Sequence, residues 1–189
     1  RASEPGGIPD RIIPSERLAA HHPEWKAILK PALETGHARL HPGFELGVNL
    51  SLDSLRHDFD ALFLAIGLPA AATLGPTPEG VVDALHFLSR IKNGSWPLPL
   101  PERIAVLGGG NTAMDAACEA KRQGARDVFL LYRRSFQELP AWPRERDHAL
   151  DLGVHFLILT MPLRYETDDH HRLTGIRIVH TQLGEPDAS

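Results

Sequence analysis

With 189 residues, 42% of them hydrophobic, the chain has material for one substantial core, or for one domain and part of another. Its net charge of −4, with no dominating basic run, argues against nucleic acid as the main partner, and no apolar stretch approaches the ~20 residues that cross a bilayer. A single cysteine, Cys118, excludes a disulfide within the chain, a C-x-x-C redox pair and a self-held iron–sulfur cluster, and is compatible with a cytoplasmic location.

The chain opens on Arg1 instead of Met, with no signal-like segment, and reads as a piece of something longer. The turn-rich run Glu4-Pro5-Gly6-Gly7-Ile8-Pro9 leads to a helical pattern over 15–34, which Pro23 and Pro31 interrupt. Positions 40–48 contain alternating apolar residues, the pattern of a short strand or two, and Ser51-Leu52-Asp53-Ser54-Leu55 predicts a capped helical turn. Asp60-Ala61-Leu62-Phe63-Leu64-Ala65-Ile66-Gly67 predicts a buried strand, whose closing Gly67 is a point of close ligand approach. The proline-rich stretch of small residues at 69–78 marks a boundary or crossover.

A helix over 79–92 is expected next, with Val82, Leu85, Phe87, Leu88 and Ile91 on its apolar face and Asn93-Gly94 as its stop. Pro97-Leu98-Pro99-Leu100-Pro101 is a stiff spacer into a buried strand, Ile104-Ala105-Val106-Leu107. There follows Gly108-Gly109-Gly110-Asn111-Thr112-Ala113, with the spacing G-x-G-x-x-A. In that pattern Gly108 permits a tight turn, Gly110 lets the backbone approach a pyrophosphate with no Cβ in the way, and Ala113 allows close packing of helix on strand. The helix then starts with unpaired N–H groups and a partial positive charge toward the phosphates.

Ala113, Ala116, Ala117 and Ala120 recur at helical spacing, Gly124 suits the stop, and Val128-Phe129-Leu130-Leu131-Tyr132 has the continuous apolar character of a covered parallel strand. Strand, glycine turn, helix and strand make one βαβ unit. Within it, Asp115 is expected in the first helical turn, favoured by the helix N-terminus, and Cys118 packs as a small hydrophobe. Arg133 and Arg134 stand just past the second strand, where an acidic side chain selects NAD and cationic ones select NADP, so the chain is expected to prefer NADP(H).

Beyond them come a helix over 143–152, a strand over 154–159 and a hairpin connection at 165–170 into a strand over 173–181. An open sheet needs at least one more strand, so truncation is expected at both ends. Eleven histidines are present, but His21-His22 and His170-His171 diverge in regular structure, and His37 and His41 share a face only in a helix that Pro42 and Gly43 disfavour. No H-E-x-x-H occurs, and no metal site is expected.

With these residues placed, the chain resembles the small (beta) subunit family of glutamate synthase, NADPH-dependent FAD oxidoreductases, and is similar to the NADPH-side module of dihydropyrimidine dehydrogenase. The match runs through Gly7-Ile8-Pro9, Phe63-Leu64-Ala65-Ile66-Gly67, residues 108–117, Tyr132-Arg133-Arg134-Ser135, Leu139-Pro140-Ala141 and residues 183–189. It implies an α/β flavoprotein: a Rossmann-like, doubly wound NADP(H)-binding domain over 75–189 and an incomplete FAD-binding-domain segment over 1–74. It further implies that NADPH delivers hydride to FAD and that electrons leave through iron–sulfur clusters outside this chain, toward a large subunit or an iron–sulfur partner.

Carried over residue by residue, Gly108, Gly109, Gly110, Asn111, Thr112 and Ala113 hold the pyrophosphate, Arg133 and Arg134 the 2′-phosphate, and Gly67 faces the flavin. Hydride transfer depends on ring placement, so no side chain is assigned as catalytic. The chain departs from the family in lacking an upstream G-x-G-x-x-G, cluster cysteines and a final strand returning to the FAD domain, and alone it is not expected to complete the reaction. Trp142 stands where relatives often carry a charge, which leaves open whether Arg144 or Arg146 joins the phosphate site. The competing reading is a docking or scaffold module of the same fold with an empty cradle.

Overall fold

Residues 12–14, 25–66 and 73–184 are described by a computed structural model of the chain, with the main chain alone for 25–28. Two units divide it, Arg1–Ala70 and Ala71–Ser189. In the first, α1 (Trp25–Glu34) runs through Pro31, against the expectation that this proline interrupts it. A proline withdraws one N–H from the helical ladder, and the helix closes one turn later, with the Thr35 N–H and hydroxyl both donating to the Pro31 carbonyl at 2.9 and 2.8 Å. The preceding part of the expected helix, including Pro23, lies outside the described residues.

Positions 40–48 form a loop, not a strand. Asn49 organises it, its side-chain oxygen accepting from the Glu45 N–H at 2.6 Å and its amide donating to the Gly43 carbonyl at 3.1 Å. Such local bonds compete directly with a ladder, and only an isolated bridge between Leu46 and Leu50 remains. The predicted cap is present in α2 (Leu52–Asp58), where the Ser51 hydroxyl accepts from the Ser54 N–H at 3.0 Å.

Residues 60–66 correct the expectation of a buried strand: they are irregular, with Phe63 94% and Ile66 72% exposed. A strand is stabilised by its neighbours, and among the described residues none pairs with this segment. Gly67 lies outside the described residues.

The second unit is centred on Val128, Leu130 and Leu131, each at most 4% exposed. They belong to β2 (Asp127–Tyr132), the middle strand of a parallel sheet with β1 (Arg103–Leu107) and β3 (His155–Ile158), in the order β1-β2-β3. A strand covered on both faces has no polar side, hence its continuous apolar run. The crossover helix α4 (Asn111–Arg122) packs on β1 and β2 and is flanked by α3 (Ala84–Lys92) and α5 (Pro143–Asp151). Its alanines at 113, 116, 117 and 120 are buried as their spacing predicts, together with Met114 and Cys118. Full burial of a side chain such as Leu130 or Met114 stabilises by about 2 kcal/mol.

Helix α3 starts five residues later than expected. Asp83 caps it, accepting from the His86 N–H at 2.9 Å, while Glu79 is engaged elsewhere: its N–H donates to the His171 carbonyl and its carbonyl accepts from the Leu173 N–H. Gly80, at φ +100°, ends any helical run between them. Val82 therefore lies outside the helix and is half exposed, whereas Phe87 and Leu88 are buried, with Trp96 edge-on to Phe87 at 5.1 Å.

After β3, Leu159 adopts φ +50° and turns the chain into β4 (Thr160–Thr167), which pairs antiparallel with β5 (Leu173–His180) as a separate two-stranded sheet. The hairpin turn falls later than expected, where the Asp168 carboxylate accepts from the His170 and Arg172 N–H groups, both at 2.9 Å. Pro162 disguised β4 in the sequence, because proline demotes a strand, and the ladder takes it in beside a register shift between Pro162 and Arg164. Among the described residues no helix is long and apolar enough to cross a membrane.

Two residues of α4 bear on chemistry. Asp115 lies beyond the first helical turn and is 8% exposed, which corrects its expected place at the helix N-terminus, an interaction that fades past that turn. Burial pushes the Cys118 thiol up to about 11, so the thiolate that reacts is scarce. Iodoacetamide at pH 8 should modify Cys118 on the order of 100-fold more slowly in the native chain than in denaturant, as mass spectrometry would read. Equal rates would contradict this packing.

Candidate functional site

The glycine turn continues the sheet before it leaves it. Gly108 donates its N–H to the Leu131 carbonyl at 3.0 Å, and its φ of +131° is open to glycine and strained for other residues. A Cβ on Gly108 would stand 3.6 Å from that of Ala113, so strand end and helix meet as closely as the small residue at 113 allows. The next two glycines have different surroundings. A Cβ on Gly109 would come within 2.6 Å of the Tyr132 ring and 2.7 Å of the Leu139 side chain, whereas one on Gly110 would meet nothing within 4 Å.

Gly110 caps α4 with its backbone: its carbonyl accepts from the Ala113 and Met114 N–H groups at 3.0 and 3.1 Å. The N–H groups of Asn111 and Thr112 precede the first of these bonds and have no helical acceptor. Space above Gly110, outward N–H groups and the positive end of the helix together make a receptive place for an anion. The Asn111 side chain turns to the protein itself. Its oxygen accepts from the Trp142 N–H at 3.0 Å, and the Gly109 carbonyl accepts from the Ala141 N–H at 3.1 Å. These two bonds fasten the turn to the segment that opens α5.

Arg133 and Arg134 follow the last residue of β2, and because β1 and β2 are adjacent and parallel, the glycine turn and this pair lie at the same carboxyl edge of the sheet. That edge is where open α/β sheets take their ligands. The main chain of both arginines is pinned: the Arg133 carbonyl accepts from the Thr181 hydroxyl, and the Arg134 carbonyl from the Leu159 N–H at 2.9 Å. Their side chains are exposed and meet no carboxylate among the described residues. By contrast Arg122, Arg126, Arg144, Arg164, Arg172 and Arg177 each pair with a glutamate.

Past the arginines, Ser135 and Glu138 form a reciprocal cap on a 3-10 turn (Phe136–Glu138), and the Tyr132 hydroxyl donates to the Glu138 carbonyl at 2.7 Å. Leu139 is buried against Gly109. Neither further arginine stands free beside the pair. Arg144 reaches Glu145 at 3.4 Å, and Arg146 donates to the Phe136 carbonyl at 3.1 Å. Trp142 is 61% exposed.

The six residues at 108–113 and the two arginines are thus gathered at one sheet edge, while Gly67 lies outside the described residues. Tyr132, Leu139, Leu159 and Thr181 shape the site, and the sequence assigned none of them to it, although Tyr132 and Leu139 stand in the motifs that carry the family resemblance. Only Tyr132 carried a local signal, as the aromatic that closes an apolar strand; the other three act through contacts distant in the chain. Among the described residues no cluster of three or more histidine, cysteine, aspartate or glutamate side chains is able to hold a metal ion.

The family described as pyridine nucleotide-disulphide oxidoreductase matches residues 45–186. The chain is 35% identical over 190 residues to the NADP(+)-dependent formate dehydrogenase subunit beta of Moorella thermoacetica, covering 97% of this chain and 25% of that protein. It is 38% identical over 150 residues to the NADPH-Fe(3+) oxidoreductase subunit beta of Geobacter sulfurreducens, covering 76% and 22%. With the glutamate synthase (NADPH) small chain of Escherichia coli it shares 36% over 159 residues, covering 76% and 33%. The chain therefore spans no more than 33% of the length of these relatives. Among solved structures, Mycobacterium tuberculosis FprA in complex with NADPH has a TM-score of 0.69 at 16% identity, over 97% of this chain and 56% of that one, a likeness of fold. The matched stretch runs from the loop before α2 through β5, and the chain belongs to the pyridine nucleotide-disulphide oxidoreductase family.

Proposed function

We propose that the chain is the NADP(H)-binding part of an FAD-dependent oxidoreductase resembling the glutamate synthase small subunit. One observation carries the reading: an open glycine turn at a helix mouth and two arginines that meet no carboxylate among the described residues share one sheet edge. The residues suit the coenzyme. The space above Gly110 takes a pyrophosphate, the Asn111 and Thr112 N–H groups donate to it, and Arg133 and Arg134 donate paired hydrogen bonds to the 2′-phosphate.

When bound, the nicotinamide supplies a hydride and FAD takes it up. The work of this chain is then to hold the coenzyme by its phosphates, fix its direction along the sheet edge and select the phosphorylated form; no side chain here needs to move a proton. Residues 75–189 form the NADP(H) domain in this reading. Residues 1–74, including Gly67, belong to an FAD domain that other chain segments complete, with a partner and iron–sulfur centres receiving the electrons. A cytoplasmic location goes with it. The names of the relatives support the coenzyme, two of them carrying NADPH and one NADP(+).

The test is a calorimetric titration of the full chain with NADPH and NADH at low ionic strength, where phosphate contacts are least screened. NADPH should bind at least about tenfold more tightly, since one charge-assisted hydrogen bond to the 2′-phosphate is worth about 1.5 kcal/mol. Equal affinities would remove the role given to the arginines. Absence of affinity for either nucleotide, with a stable complex to a partner chain, would favour the docking module instead.

A further inference from the structure

The 3-10 turn after the arginine pair is held from α5. The Arg146 guanidinium donates to the Phe136 carbonyl at 3.1 Å and lies 5.2 Å from the centre of the Phe136 ring, which itself meets Phe156 of β3 edge-on at 5.5 Å. The Nε of Arg146 is buried and has no hydrogen-bond partner among the described residues. Leaving a buried donor unmatched opposes folding, and an aliphatic side chain at 146 would cover Phe136 without that penalty. What it would lack is the bond to the Phe136 carbonyl and the charge over the ring.

We propose that Arg146 is a positioning residue for coenzyme selectivity: by clamping Phe136 it fixes the turn that follows Arg133 and Arg134, and with it the direction in which their guanidinium groups leave the sheet. This rests on the NADP(H) reading above. The pair is held from the other side by the Thr181 and Leu159 bonds to the carbonyls of Arg133 and Arg134. Residues 133 and 134 are thus set between two anchors, and release of the Phe136 anchor frees the chain just beyond them. Arg146 does this without touching the phosphate, its guanidinium being engaged with Phe136.

The experiment measures the ratio of NADPH to NADH affinity on the full chain for wild type, Arg146→Met, Arg146→Lys, Phe136→Leu and the double variant Arg133→Ala/Arg134→Ala. Arg146→Met should lower the ratio at least about fivefold with NADH affinity held within about twofold, and Arg146→Lys, whose ammonium still donates to a carbonyl and carries charge over a ring, should recover part of the loss. A lysine that recovers nothing, or a ratio lowered in Arg146→Met and unmoved in Phe136→Leu, would overturn the positioning role, the latter by showing the charge acting directly on the phosphate. A proportional loss of both affinities would make Arg146 merely structural and overturn it as well.

If Arg146→Met does not fold, Phe136→Leu removes the platform instead, and an unchanged ratio in that variant refutes the proposal. The double variant separates the two levels. A wild type that does not prefer NADPH, or a ratio indifferent to the arginine pair, sinks the NADP(H) reading and this inference with it. A ratio that collapses in the double variant and is unmoved in Arg146→Met sinks the inference alone.

Discussion

Replacing Arg133 and Arg134 together with alanine is expected to weaken NADPH binding roughly 100-fold and to change NADH binding by less than about twofold. Each charge-assisted hydrogen bond to a phosphate contributes about 1.5 kcal/mol at the low end of its range, the end suited to exposed side chains, and two such bonds span roughly two decades of affinity. The protein should remain as stable as before, because neither side chain forms an ion pair with a carboxylate among the described residues and surface changes of this kind fall within about 0.5 kcal/mol. Titration and thermal unfolding read the two quantities separately. A uniform loss for both coenzymes would show that the arginines govern the turn and not the 2′-phosphate.

Gly109→Ala and Gly110→Ala should fail in opposite ways although they are neighbours with the same added methyl. At 109 the new Cβ meets the Tyr132 ring and Leu139 at 2.6 to 2.7 Å, and neither yields easily. Tyr132 is tethered through its hydroxyl to the Glu138 carbonyl, and Leu139 is 5% exposed. Overpacking of this kind costs about 2 kcal/mol, or roughly 5 to 10 °C in thermal midpoint for a unit of this size. At 110 the backbone is extended, with φ −86° and ψ 175°, and nothing lies within 4 Å of the new Cβ.

Stability of Gly110→Ala should therefore change by less than about 1 kcal/mol. Nucleotide affinity should fall at least about tenfold, because the methyl occupies the approach of the pyrophosphate. Thermal unfolding with and without NADPH distinguishes them. A Gly110→Ala variant that binds normally would remove the pyrophosphate from this turn.

The same pair of glycines shows how far the sequence can be read. G-x-G-x-x-A marks the turn at Gly108, the open place of Gly110 and the small residue at 113, but it says nothing of the middle glycine, Gly109. The difference lies in Tyr132 and Leu139, which the strand β2 and the 3-10 turn bring over Gly109 and not over Gly110. Asn111 is similar: its place at the helix start is legible, whereas the bond to the Trp142 N–H spans 31 residues. The segment 60–66 failed in the other direction. Its apolar run satisfies every local requirement of a strand, but among the described residues it has no partner to pair with.

The order of strand, turn, helix and strand, the alanine face of α4 and the position of the two arginines were determined by sequence alone. These depend on periodicity, small side chains and turn chemistry within a few residues of one another. The tertiary structure decided that Gly109 is packed under Tyr132 and Leu139, how the carbonyls of Arg133 and Arg134 are anchored by Thr181 and Leu159, and that Arg146 faces Phe136. Each of those depends on groups far apart in the chain whose meeting is fixed by sheet register and helix packing, and no local pattern encodes such a meeting.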